Sequence, residues 1–173
     1  MKSKGFTILE LIVAIVILGI LAAIAIPGFA RYGPDMRLKG AVRDLKSDMT
    51  LARAMAIREN ALVALIFDTG NSRYTVFLDN GAGGGVAGDW TQNGSEALVK
   101  ITDIPSDVTM YEANFSGGVQ RCRFNSRGLP DNIIGHVYMR NTNNEYMGVE
   151  LFLVGTIRIQ ESTDGGGAWN DVD

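Results

Sequence analysis

The sequence predicts an α+β chain: one long N-terminal helix packed on an antiparallel β-sheet head. Two patterns carry that expectation. An almost uninterrupted apolar run fills residues 6–30 and continues into residues with helical periodicity, and from about residue 61 short alternating segments recur between glycine-rich breaks. One long helix followed by many short strands is the order of an α+β domain, with the amphipathic half of the helix laid on the sheet.

The helix begins in "MKSKGFTILELIVAIVILGILAAIAIP". From Leu11 to Ala30 there is no charge, and twenty residues at ~1.5 Å rise span a ~30 Å hydrocarbon core. Lys2 and Lys4 precede the run, which places the N-terminus on the cytoplasmic side. A plain anchor and a secretory signal cut at Ala23-Ile24-Ala25 both fit the apolar stretch. Glu10 weakens the signal reading, since an acid costs roughly 2.5–3.5 kcal/mol at the centre of an inserting helix and less at its edge. So does the sequence that follows. Leu38, Val42, Leu45, Met49, Ala52 and Ala56 recur at spacings of four and three, while Arg37, Lys39, Arg43, Asp44, Lys46, Asp48 and Arg53 fall mostly off that stripe. Pro27 and Pro34 interrupt the run without ending its periodicity, so kinks are expected there. Phe6 to about Arg58 would form one element ~80 Å long.

The head follows. Strands are expected from the end of "LARAMAIRENALVALIF", at Arg73–Leu78 after the Thr69-Gly70-Asn71-Ser72 turn, and at Ala97–Ile101, Val108–Phe115, Val119–Phe124, His136–Arg140, Tyr146–Leu153 and Thr156–Gln160. Gly117-Gly118 and Val154-Gly155 are hairpin-sized breaks.

Composition narrows the function classes. The 173 residues suffice for one domain plus an anchor, and 46% hydrophobic with 20% charged residues is ordinary for a folded protein. The net charge is −3, or −5 without Lys2 and Lys4 (14 basic against 19 acidic residues), which argues against bulk attraction to nucleic acid or anionic lipid. Cys122 alone closes no intrachain disulfide.

Catalytic signals are thin. "GGGVAG" satisfies Gly83-x-Gly85-x-x-Gly88, but Asp89-Trp90-Thr91-Gln92-Asn93-Gly94 reads as loop, so no helix N-terminus follows to hold a pyrophosphate. His136 is the only histidine, which leaves no His/Cys cluster for a transition metal, and no G-x-S-x-G elbow accompanies it. His136 is expected to be a packed or surface residue. Asp79, Asp89 and Glu96 bracket the glycine-rich loop; their spacing matches no calcium loop, and solvated carboxylates are expected. No metal and no cofactor are expected. Arg121, Arg123 and Arg127 form the one local basic cluster, two of them on one strand face, suited either to weak, salt-dependent phosphate contact or to ion pairs with neighbouring acids.

Gly5-Phe6-Thr7-Ile8-Leu9-Glu10 after a short basic leader resembles the class III signal of type IV pilins and type II secretion pseudopilins. Thr7-Ile8-Leu9 departs from the commoner Thr-Leu-Ile order, and Pro27 matches the proline that often breaks the family's N-terminal helix. The later run "LARAMAIREN", "YTVFLD", "FNSRGLPD", "VELFLVGTIRI" resembles the H-type minor pseudopilins and their minor-pilin relatives, with Phe124-Asn125-Ser126-Arg127-Gly128 at a strand-turn and Gly155-Thr156-Ile157-Arg158-Ile159 at a closing strand, Thr156 standing where an arginine is usual.

The resemblance implies a pilin-like fold with a leader at 1–5, a transmembrane assembly helix at 6–30, an amphipathic half at 31–60 and a periplasmic β-rich head at 61–173. It implies a cut after Gly5 by a prepilin peptidase on the cytoplasmic side, N-methylation of Phe6, and a non-enzymatic role in a secretion pseudopilus or type IV pilus. The implied partners are other pilins of the filament, the inner-membrane assembly platform and a cytoplasmic motor. A cut there frees an α-amino group at Phe6, with an ordinary pKa near ~7.7–8.0, which Glu10 of a neighbouring subunit could pair. The alternatives are a minor pilin that captures DNA through Arg121, Arg123 and Arg127, and a membrane-tethered periplasmic binding or hydrolytic domain.

Overall fold

The computed structural model describes residues 6–131 and 133–172, with the side chains of 27–31 left aside. The expected processing position Gly5 lies outside the described residues. One helix, α1 (Ile8–Arg58), runs through Pro27 and Pro34 rather than ending at either. Thr7 caps it in extended conformation, its hydroxyl accepting from the Glu10 N–H at 3.2 Å. Thr7 and Glu10 stand at capping-box spacing, with the acid in the first turn where the helix dipole favours it. Residues Ile8–Ile26 have mean hydropathy 3.0 and none of that window is buried within this chain, so by length and composition the segment can cross a membrane.

Two antiparallel sheets form the head. The first has order β3-β2-β1-β5, with β1 (Val63–Asp68), β2 (Arg73–Leu78), β3 (Leu98–Asp103) and β5 (Arg121–Phe124). The second has order β4-β6-β7-β8-β9, with β4 (Val108–Phe115), β6 (Gly135–Asn141), β7 (Tyr146–Leu151), β8 (Ile157–Ser162) and β9 (Asn170–Asp171). The sheets adjoin where Phe115 bridges Val119, and Phe67 of β1 stacks on Phe115 at 5.4 Å between ring centres.

α1 contacts strands of both sheets. Its stripe of Leu38, Val42, Leu45, Met49, Ala52 and Ala56 is 0–1% exposed, as the periodicity predicts. At ~25 cal/mol per Å² of apolar surface removed from water, burying this stripe and the strand residues facing it supplies most of the drive for folding the head.

Two expectations about these elements need correction, and one element was not expected. Asp48, placed off the stripe, is buried at 6% exposure: it is three residues from Leu45 and four from Ala52, so it lies on the covered face. The strand expected to reach Leu153 ends at Leu151, because the Gly155 N–H closes a turn onto the Phe152 carbonyl. β9 was not anticipated; its two residues carry no periodicity, and their pairing to Gln160 and Glu161 places them.

Candidate assembly surfaces

Among the described residues, Ile8–Ile26 of α1 packs against nothing else in its own fold. Ile8, Leu9, Leu11 and Ile12 are 53–80% exposed, a pattern that soluble proteins avoid over so long a stretch. Glu10 sits among them and makes no ion pair among the described residues. Phe6 precedes the helix and is 87% exposed. The apolar face and the acid are thus both available to a second helix or to lipid.

In the head, Arg121 and Arg123 share a face of β5, as their spacing predicts, and both guanidinium groups lie over the Trp90 ring, at 4.7 and 4.3 Å from its centre. Arg123 is engaged on every side. It donates to Asp131 at 2.6 and 2.8 Å and to the Gly88 carbonyl at 2.9 Å, with Asp79 at 3.8 Å. Arg127 does not join them. It lies in the turn after β5, where Asn125 Oδ1 accepts from its backbone N–H. Trp90 is the residue that sequence reasoning missed. It stands at φ 67°, a conformation bulky side chains rarely adopt, and nothing local to its sequence announces that a loop folds back over β5.

Two acids bordering that loop are buried, not solvated. Asp79 is fully buried and accepts from the backbone N–H groups of Gly88 and Trp90, while Glu96 accepts from those of Gly81 and Asn93. Asp89 accepts from the Thr91 N–H and the Asn93 amide. These contacts use carboxylate oxygens to satisfy loop N–H groups. Among the described residues no group of three His, Cys, Asp or Glu is placed to hold a metal. The segment from Gly83 to Gly88 leads into irregular loop and then β3, so no helix N-terminus faces its backbone.

His136 is a packing residue at the top of a three-ring pile. Its ring stacks on Tyr138 at 4.0 Å, Trp169 stacks on the other face of Tyr138 at 3.7 Å, and His136 Nε2 lies 3.3 Å from Glu112. Burial pushes the Tyr138 hydroxyl up to about 12. Cys122 is fully buried and its thiol is pushed up by desolvation, which makes it inert.

Comparison with known proteins agrees with this architecture. Residues 1–26 match the prokaryotic N-terminal methylation motif, and residues 41–169 match the family described as type II transport protein GspH. Pilin-like protein PilA1 of Thermus thermophilus is 39% identical over 84 residues, 47% of this chain and 52% of that protein. This chain therefore spans about half the length of that relative, and 40% of two fimbrial proteins from Pseudomonas aeruginosa. The narrow-pilus major component PilA5 of Thermus thermophilus is 33% identical over 64% of this chain and 88% of its own length. Core protein G of the Klebsiella pneumoniae type II secretion system is 27% identical over 97% of this chain and 95% of its own.

Among solved structures, the minor pseudopilin EpsH of Vibrio cholerae superposes with a TM-score of 0.56 at 16% identity, covering 74% of this chain and 99% of that one. The minor pilin FimU of Pseudomonas aeruginosa gives 0.55 at 12% identity, covering 78% and 98%. At such identities these two speak for the fold, which is pilin-like. With three quarters of its length inside that family's bounds and the methylation motif at its start, the chain belongs to the GspH family of type II transport proteins.

Proposed function

We propose that this chain is a non-enzymatic assembly subunit, a minor pseudopilin or minor pilin. It is held in the inner membrane as a single-pass protein with its head in the periplasm, and it is then incorporated into a secretion pseudopilus or a type IV pilus. The observation that carries the reading is the nineteen-residue span Ile8–Ile26, wholly unburied in its own fold and carrying in its first turn an acid, Glu10, that makes no ion pair among the described residues. In this reading a prepilin peptidase cuts after Gly5 and Phe6 becomes the methylated N-terminus. Glu10 then pairs with the terminal amine of a neighbour, and Pro27, lacking an N–H, is where the helix bends to follow the filament. The remaining partners are other pilins of the filament and the inner-membrane assembly platform.

The pairing works through its cost when broken. Removing one member of a buried ion pair leaves the other uncompensated, at roughly 3–5 kcal/mol. A subunit in the wrong axial register meets that cost, so Glu10 discriminates register more than it adds stability. DNA capture gains no support from the head: Arg123 is committed to Asp131 and Gly88, and Arg127 stands apart from Arg121.

Mass spectrometry of the membrane-derived protein tests the reading. An N-terminus at methylated Phe6 is expected, and one at Ile26 would overturn it in favour of a secretory signal. A bulky residue in place of Gly5 should block the cut, whereas Gly5→Ala should be partly tolerated.

A further inference from the structure

The second sheet ends on its shortest strand. β9 consists of Asn170 and Asp171, paired to Glu161 and Gln160 of β8, and the Val172 N–H extends the pairing to the Ile159 carbonyl. On its other side β8 is held in full, every residue from Ile157 to Ser162 facing a partner on β7. β8 therefore keeps its place whether or not β9 lies beside it. Without β9, its outer edge would present a row of unpaired backbone groups, the template on which another chain pairs.

β9 belongs to a strap, residues 163–172, that lies on the surface of the head. No residue in it is buried, and only Gly166 and Trp169 are half-buried. Its turn closes on itself. Asp164 accepts from the N–H groups of Gly167 and Ala168 and from the Ser162 hydroxyl, which in turn accepts from the Gly166 N–H. Gly165 and Gly166 stand at φ +80° and +95°, which glycine adopts without strain. Trp169 and Asp171 tie the strap to the sheet. The Trp169 ring stacks on Tyr138 of β6 at 3.7 Å, and Asp171 accepts from Arg158 and Gln160 of β8. Tyr138 is itself seated by Gly148 on β7, directly opposite, where a Cβ would come within 2.3 Å of the tyrosine ring. The surface that Trp169 covers is thus built across three strands.

We infer that the strap guards the β8 edge: held shut by Trp169 and Asp171, it keeps β8 from pairing with β8 of a second copy. The strand's own sequence selects that occupant. In an antiparallel pairing centred on Ile159, Ile159 faces its own counterpart, Arg158 faces Gln160 and Ile157 faces Glu161. Side chains from the same side of each sheet then meet, and no like charges stand directly opposite. Such a contact places one strand on both sides of a twofold axis, so it closes on itself. A filament grows through contacts that do not close, and a subunit paired through β8 is lost to it. That consequence rests on the assembly-subunit reading; the guarding itself does not.

Sedimentation of the full-length chain in detergent micelles tests it, with the wild-type chain as the reference for any association through the apolar span. The double change Trp169→Ala, Asp171→Ala should raise the dimer fraction several-fold while the main thermal transition of the head persists. Gln160 and Asp171 stand directly opposite, so Gln160→Cys with Asp171→Cys in one chain can close a disulfide across β8 and β9. With Trp169→Ala added, that chain should run like the wild type when oxidised and dimerise when reduced. Cys122, fully buried, stays silent. In the Trp169→Ala, Asp171→Ala background, Arg158→Cys mixed with Gln160→Cys should be trapped as dimer several-fold above either variant alone, which marks pairing centred on Ile159. A double variant no more dimeric than the wild type would overturn the inference. So would a locked chain equally dimeric in both redox states, or trapping no stronger in the mixture. Phe6 processing and Glu10-dependent incorporation enter none of these readouts, so a monomeric double variant removes this inference and leaves the subunit reading standing.

Discussion

Tyr74 donates its hydroxyl hydrogen to Asp48 Oδ2 at 2.6 Å, joining the helix to the first sheet inside the head. Lys100 reaches the same carboxylate from β3 at 2.8 and 2.9 Å, and Tyr74 itself is 1% exposed. Burial, and then the hydrogen bond to Asp48, raise the Tyr74 hydroxyl above its ordinary value. Both effects favour the neutral phenol that donates. β3 is an edge strand, and an inward-facing lysine on an edge also discourages pairing with another chain.

A fragment beginning at Asp35 is expected to be soluble and to melt cooperatively, because the apolar stripe that remains is covered by its own sheets. Within it, Tyr74→Phe should cost roughly 1.5–3 kcal/mol, the range for a hydrogen bond to a charged group. Asp48→Ala should cost at least as much, since it also leaves the Tyr74 hydroxyl without its acceptor. Lys100 keeps access to water and adds little to that loss. Urea melts of the three proteins check this, and a fragment that aggregates without a transition would mean the helix does not pack on the sheets as described.

This network shows where the sequence was legible and where it was not. The stripe from Leu38 to Ala56 and the alternation in β2 and β4 identify their elements because burial follows period there. Asp48 obeys the same period, but its polarity hid it: a carboxylate is buried only when a partner arrives, and Tyr74 and Lys100 come from 26 and 52 residues away. Trp90 and Trp169 were opaque for the same reason, since the rings and cations they stack on belong to distant strands. In contrast, the Glu10 surface was legible from one local stretch, because its significance lies in having no ion-pair partner among the described residues.

Gly128, buried at the end of a turn whose Ser126 and Arg127 are exposed, should resist substitution. Its φ is +72°, and a Cβ there would stand 2.7 Å from Ile57 Cδ1. Gly128→Ala is expected to destabilise the head by at least about 1 kcal/mol through backbone strain alone. Pairing it with Ile57→Ala should relieve the contact and leave the backbone part, which a double-mutant cycle on thermal melts resolves.

Acid should loosen the C-terminal segment first. Arg158, then Gln160, hold Asp171 below the usual carboxylate range, and the Ala168 N–H, then the Ser162 hydroxyl, do so for Asp164. A depressed folded-state pKa gives a contribution that is full above the ordinary value of 3.8 and lost as pH falls through the lowered one. Both groups are exposed, so the effect is local. In a Trp90→Phe background, Trp169 fluorescence should shift on acidification below that range, while the main transition of the head persists. A Trp169 signal that moves only together with the main transition would mean that the C-terminal segment is not the first part to loosen.

Glu10 gives the most discriminating test of assembly. If it pairs with a neighbour's terminal amine, Glu10→Gln should leave insertion and Phe6 processing intact but lower incorporation into filaments. A neutral amide cannot compensate a charged amine in an apolar surround. Glu10→Leu should insert better and assemble no better, which separates pairing from helix hydrophobicity. Glu10→Asp keeps the charge and shortens the reach by one methylene, so partial incorporation is expected. The competing account is a carboxylate that serves only its own helix terminus, where Thr7 already caps the Glu10 N–H. That account predicts effects of roughly 0.3–1 kcal/mol from any of the three changes. Pull-down of assembled complexes from cells carrying each variant decides between them: normal incorporation of the leucine variant would mean that Glu10 does not set the register of this subunit.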